Sequence, residues 1–183
     1  NTSPSITNAA QVAWKQGYVE QAAWCDMGLY VGGTKANIAE LAELETARGV
    51  CGIKIFAGSS TGDLMVEDDE HLERVMRAGR RRISYHSEDE YRLQARKPMF
   101  KSGDPYSSHM VWRDEETAFL GTRRLMALAS RTGRAAHILH VSTAQELDYL
   151  KDYRDVATVE VLVNHLTQVA PEVYDTLKGF GVM

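Results

Sequence analysis

The sequence predicts an α/β fold: a parallel sheet flanked by helices, forming a partial (β/α)8 TIM-type barrel. Three observations carry this expectation. Short apolar runs alternate with amphipathic helical stretches through five successive units, the pattern of strands joined by crossover helices. The apolar runs lack a clean apolar/polar alternation, as strands buried on both faces do. A complete barrel typically needs ~250 residues, so the 183 residues here supply about five of its eight strands. Residues 1–183 read as a single barrel domain, incomplete at both ends. A doubly wound open sheet is the alternative, although no GxGxxG fingerprint follows any strand to support a nucleotide-binding version.

Taken in order, Thr7 can cap a helix over roughly 8–16 that Gly17 ends. A short strand follows near Met27–Val31, closed by Gly32-Gly33. Ile38, Leu41, Ala42 and Glu45 trace a helical register that stops at Gly49. Val50–Phe56 reads as a buried strand running into the small-residue loop Ala57–Gly62. Asp68 caps a helix carrying Leu72, Val75 and Met76, and Arg82–His86 is the next strand. The acidic turn Glu88-Asp89-Glu90 opens a helix that Pro98 limits, and 101–113 is expected to be a long loop. Asp114 caps a long helix ended by Gly133, followed by a strand over Ala135–Val141. Ser142-Thr143-Ala144-Gln145 matches a capping box. Val156–Val163 is a last strand, and Pro171 marks where a first helical turn would start.

Composition excludes several function classes. A formal net charge of -4 gives no general attraction to nucleic acid or anionic membrane. The compact basic run Arg80-Arg81-Arg82 reads as a solvated turn before a strand rather than a phosphate site. Cys25 and Cys51 have no metal-type spacing and suggest no disulfide framework, which fits a reducing cytoplasm. No stretch approaches the ~20 apolar residues of a membrane span. Asn1-Thr2-Ser3-Pro4 has neither the basic nor the apolar region of a signal peptide, and the chain starts without Met, as though cut from something longer.

In a barrel of parallel strands, function sits at the C-terminal strand ends. Lys54, His86 and His140 fall there on three consecutive predicted strands. Each has an ordinary structural explanation alone: a lysine snorkelling to a strand end, or a hydrogen-bonded histidine. Ile53 and Ile55 should face the helices, which turns Lys54 inward. His137 lies an odd number of residues from His140, so only one of the pair is expected inside, and the strand-end position favours His140. Neutral imidazoles bind divalent zinc or similar metals. A protonated lysine does not, but a lysine carboxylated by carbon dioxide is an anionic carbamate whose two oxygens can bridge two cations sharing a hydroxide nucleophile.

Gly52–Phe56 with Gly58–Gly62, His86-Ser87-Glu88-Asp89, and His137–Thr143 together resemble the successive metal motifs of the amidohydrolase superfamily, most of all those of bacterial dihydroorotases. The resemblance covers essentially the whole chain. It implies that Lys54 is the carboxylated bridging ligand, that His86 and His140 hold the second of two Zn2+ ions, and that Asn1 helps bind the substrate carboxylate. It also implies reversible hydrolysis of dihydroorotate to N-carbamoyl-L-aspartate in pyrimidine synthesis, with a homodimer as an open expectation. The segment from Asp104-Pro105 to Glu116 is typical as a loop leading into a capped helix. Departures are plain. The first-strand His-x-His pair is absent, and the last-strand aspartate that acts as general acid/base would lie beyond Met183. The usual Glu-Val-Thr-Pro-His-His-Leu stretch reads Glu160–Leu166 here without its Thr-Pro-His part, so Asn164 and His165 are given no catalytic role. The 183 residues alone are therefore expected to be inactive. Allantoinase and hydantoinase share the ligands and chemistry, and a non-catalytic dihydroorotase-like scaffold of aspartate transcarbamoylase is the alternative from another class.

Overall fold

A computed structural model describes residues 2–58 and 64–182. Five strands, β1 (Leu29–Gly32), β2 (Val50–Phe56), β3 (Ile83–His86), β4 (Ala136–Ile138) and β5 (Ala157–Val159), form one sheet in the order β1-β2-β3-β4-β5, all parallel. Each strand thus lies beside its neighbour in sequence. A doubly wound sheet reverses its order at a switch point, and no reversal occurs here. The fold is the α/β type, an arc of a (β/α)8 barrel.

The register separates two faces. Val31, Ile53, Ile83 and Ala136 align in one row, and Ile55, Tyr85 and Ile138 in the next. All seven are buried in one core with Leu41, Leu72, Met76, Leu125 and Met126 from the helices. On the opposite, inner face the aligned row is Gly32, Lys54, Ser84, His137 and Thr158, with Phe56 and His86 one step further along. Lys54 therefore points away from the isoleucines on either side of it, as pleating requires.

Helices α1 (Ala9–Ala22), α2 (Leu41–Leu44), α3 (Asp69–Arg77), α4 (Glu90–Arg96), α5 (Ser108–Trp112), α6 (Glu115–Thr132), α7 (Ala144–Leu150), α8 (Val163–Thr167) and α9 (Glu172–Leu177) fill the connections. Asp68, Asp89 and Asp114 cap α3, α4 and α6 through their carboxylates. Gly133 ends α6 in the left-handed conformation (φ 68°) that glycine adopts without penalty.

Several boundaries differ from expectation for local reasons. Asn8, not Thr7, caps α1, because its side-chain oxygen accepts from Gln11 N at 2.9 Å while Thr7 is engaged by Gln11 Oε1. Gly17 lies inside α1: an interior glycine weakens a helix by only about 1 kcal/mol and ends one only when it turns left-handed. The α7 cap is Thr143 paired with Glu146, one residue beyond the expected box. The 101–113 segment is not all loop, since α5 forms within it. β4 and β5 are three residues each, and α8 begins where a strand end was expected. Pro171 stands at the N-cap of α9.

The arginine run is structural. Arg80 N and Arg81 N donate to Glu45 Oε1, Arg81 Nη1 to Val50 O and Arg82 Nη1 to Ala136 O. Glu45 in turn pairs with Arg134 at 2.6 Å, both side chains 3% exposed. No helix among the described residues is long and apolar enough to cross a membrane.

Candidate metal centre

Lys54, His86 and His140 all reach the inner, C-terminal side of the sheet. Lys54 occupies the inner row of β2, where its Nζ donates to Ile55 O at 3.3 Å and lies 4.3 Å from the Phe56 ring centroid. The Phe56 ring is 6.0 Å from that of His86, the last residue of β3. His86 and His140 meet edge-on, with Nδ1 of the first 2.9 Å from Nε2 of the second. They are 54 residues apart in sequence, so the contact is created wholly by adjacent strands.

His140 gets there by an unexpected route. The register sets His137 opposite Ser84, whose other neighbour is Lys54, so His137 lies on the inner face. Its Nδ1 is 2.8 Å from Thr158 Oγ1. The expectation that only one of the two histidines is inside assumed an extended chain through residue 140. Extended pairing stops at Ile138, and His140 takes a left-handed backbone (φ 42°) that brings its side chain to the face of His86.

Two carboxylates hold the pair. Glu88 Oε2 accepts from His86 Nε2 at 2.7 Å, which places a ring proton on Nε2. Glu160, just past β5, accepts from the backbone N–H of His140 at 2.8 Å. Sequence reasoning gave neither carboxylate a role. Glu88 stands two residues beyond a strand-end histidine, a spacing that could have signalled it; Glu160 is brought in by strand pairing from 20 residues away and has no local signal.

The electrostatics follow from burial. Desolvation lowers the Lys54 ammonium to about 7, opposed by the negative charge of Glu160. Desolvation, then the neighbouring His86 and Lys54, lowers His140 to about 4. Burial alone would raise Glu88, but hydrogen bonds from His86 and Arg113 outweigh it and hold the carboxylate at about 2. The arrangement is a carboxylate–imidazole–imidazole line beside an amine that is partly neutral near neutral pH.

This donor set fits part of a zinc site: two converging imidazoles, one of them backed by a carboxylate. Among the described residues no three His, Cys, Asp or Glu side chains converge to hold a metal. Asn1, the expected substrate-binding residue, lies outside the described residues, as do 59–63 of the small-residue loop.

No family model matches the chain. An allantoinase of Streptomyces avermitilis is 29% identical over 98% of the chain and 41% of its own length. A dihydroorotase of Methanosarcina acetivorans is 26% identical over all of the chain and 41% of its own length. The chain thus spans about two-fifths of these curated relatives. Among solved structures, an L-hydantoinase (dihydropyrimidinase) from Arthrobacter aurescens superposes with a TM-score of 0.85 at 20% identity, covering 95% of the chain and 40% of that structure. A dihydropyrimidinase from Brevibacillus agri gives 0.79 at 21% identity, with 98% and 41% covered. These structural likenesses show the fold.

Proposed function

We propose that the chain carries part of the metal centre of a cyclic-amide hydrolase, and that its reaction is the reversible hydrolysis of dihydroorotate to N-carbamoyl-L-aspartate. The observation that carries this is the convergence of His86 Nδ1 and His140 Nε2 at 2.9 Å on the face that Lys54 shares. The curated relatives, an allantoinase and a dihydroorotase, support the reaction class.

The residues divide the work. His86 and His140, on release of the proton their facing nitrogens share, would offer lone pairs to Zn2+, of which we expect two in the complete site. Glu88 fixes the His86 ring, and Glu160 fixes the His140 backbone. Lys54, with its ammonium lowered to about 7, presents a substantial neutral fraction at neutral pH. Its amine nitrogen can attack carbon dioxide, forming an N–C bond and releasing one proton, to give an anionic carbamate with two ligand oxygens. The metal ions, when bound, supply Lewis acidity toward the scissile carbonyl.

The test is an assay of the intact protein on dihydroorotate, allantoin and hydantoin after zinc loading. Turnover of dihydroorotate is expected; its absence, with allantoin or hydantoin consumed, replaces the first substrate by the second reading. That second reading has a specific support, the allantoinase that is 29% identical. Metal analysis separates either from a non-catalytic scaffold, for which less than one zinc per chain is expected. The 183 residues expressed alone are expected to show no turnover, and measurable activity would overturn that expectation.

A further inference from the structure

Glu88 receives more than the His86 proton. Arg113 donates Nε to Glu88 Oε1 at 2.9 Å and Nη2 to Glu88 Oε2, a two-pronged grip that sets the plane of the carboxylate. The backbone beneath is equally constrained. A Cβ on Gly58 would lie 2.5 Å from Glu88 O, and one on Gly121 would lie 2.7 Å from the Glu88 carbonyl carbon. Asp89 N donates to Thr117 O at 3.0 Å, which ties the same turn to α6.

Arg113 comes from elsewhere in the chain. It follows α5, its own N–H donates to His109 O at 2.8 Å, and its guanidinium lies 5.5 Å from the Trp112 ring centroid. Trp112 Nε1 is anchored on Leu93 O of α4 at 3.0 Å. An ordinary exposed ion pair explains little of this, because both side chains are largely covered (22% and 14% exposed) and one carboxylate oxygen is shared with an imidazole.

We propose that Arg113, acting through Glu88, is a positioning residue that fixes the rotation and proton of the His86 ring, so that Nδ1 is the bare nitrogen facing His140. The α5 segment is thereby coupled to the centre without touching it. The metal part of this proposal rests on the proposed function; the ring part does not. Loss of such an outer partner typically weakens metal binding by about 10–100-fold.

Two measurements on the full chain test it. Long-range 1H–15N spectra of the metal-free protein should show His86 with its proton on Nε2 alone, and a mixture of tautomers in Arg113→Met. Titration with Co2+ as the probe metal should show binding weakened by about 10–100-fold in Glu88→Ala, by less in Arg113→Met, and partly restored in Arg113→Lys. The double variant should bind no more weakly than Glu88→Ala, the non-additivity expected when one residue acts through the other. Additive losses, or a wild-type His86 protonated on Nδ1, overturn the proposal. If the wild type takes up no Co2+, the metal-centre reading fails by itself. The ring spectra then decide: a single tautomer lost in Arg113→Met upholds the positioning role, and an unchanged one ends it.

Discussion

Lys54 is held where its charge is costly, and the environment favours the neutral amine. Arginine cannot take its place, because a guanidinium stays protonated at any accessible pH. We expect Lys54→Arg to lower zinc affinity by more than about 100-fold, beyond the loss of an outer-shell partner, as measured by metal content after dialysis. Gly121 plays a different part: a side chain there would strike the Glu88 backbone. Gly121→Ala should therefore destabilise the chain by about 1–3 kcal/mol, the usual cost of overpacking, read from urea midpoints, and should weaken Co2+ binding as well. That Lys54, His86 and His140 share one side of the sheet was legible from their common position near the ends of three consecutive strands, not from any of the three residues alone. Side-chain parity failed at His140, since alternation along a strand carries no sign of a left-handed residue just beyond it. Arg113 and Glu160 were not legible, because their partners lie 25 and 20 residues away.

Helix starts show how far local chemistry reaches. Asp68 and Asp114 announce their helices because a carboxylate before an apolar register has one obvious use, and both accept the expected backbone N–H. Thr7-Asn8 and Ser142-Thr143 present two capping side chains in a row, and in each the second one caps: Asn8 while Gln11 Oε1 engages Thr7, and Thr143 paired with the Glu146 side chain. Asp114 does more than cap. The Arg92 guanidinium holds it well below the usual carboxylate range against some desolvation, helped by the Thr117 hydroxyl and N–H. A depressed carboxyl stabilises the fold above its unfolded pKa, near 4, and that stability is lost as pH falls further. Asp114→Ala should cost about 1 kcal/mol at neutral pH and flatten the decline in urea midpoint below about pH 4. The short helix α5 escaped notice because Gly103, Pro105 and the serines around it signal turns, while one of its carbonyls, Val111 O, is satisfied from outside by Arg96.

Across the molecule, the sheet's two faces have opposite characters. The helix side is a continuous apolar core; the inner side carries Lys54, Ser84, His137 and Thr158. Burial extends to the inner face at Gly32, Phe56 and Ser84, but not to Thr158 at the β5 edge. At the other end of the strands, the buried Glu45–Arg134 pair joins the end of α2 to the entry of β4 and holds the turn before β3 through Arg80 N and Arg81 N. Breaking it leaves a buried carboxylate short of its cation. Arg134→Met should cost about 3–5 kcal/mol in urea unfolding, with the double replacement of Glu45 and Arg134 by apolar residues recovering much of the loss. The fold class was legible because apolar runs alternating with helical stretches admit few architectures; the choice between arc and doubly wound sheet was not, since strand order depends on contacts among distant segments. The observed order has a consequence for synthesis. Each of β2 to β5 pairs with the strand made just before it, so this sheet can grow by one edge as the polypeptide emerges from the ribosome. Within this arc each pairing joins consecutive units, which keeps loop-closure entropy small at each step and shortens the interval in which a bare strand is open to a wrong neighbour.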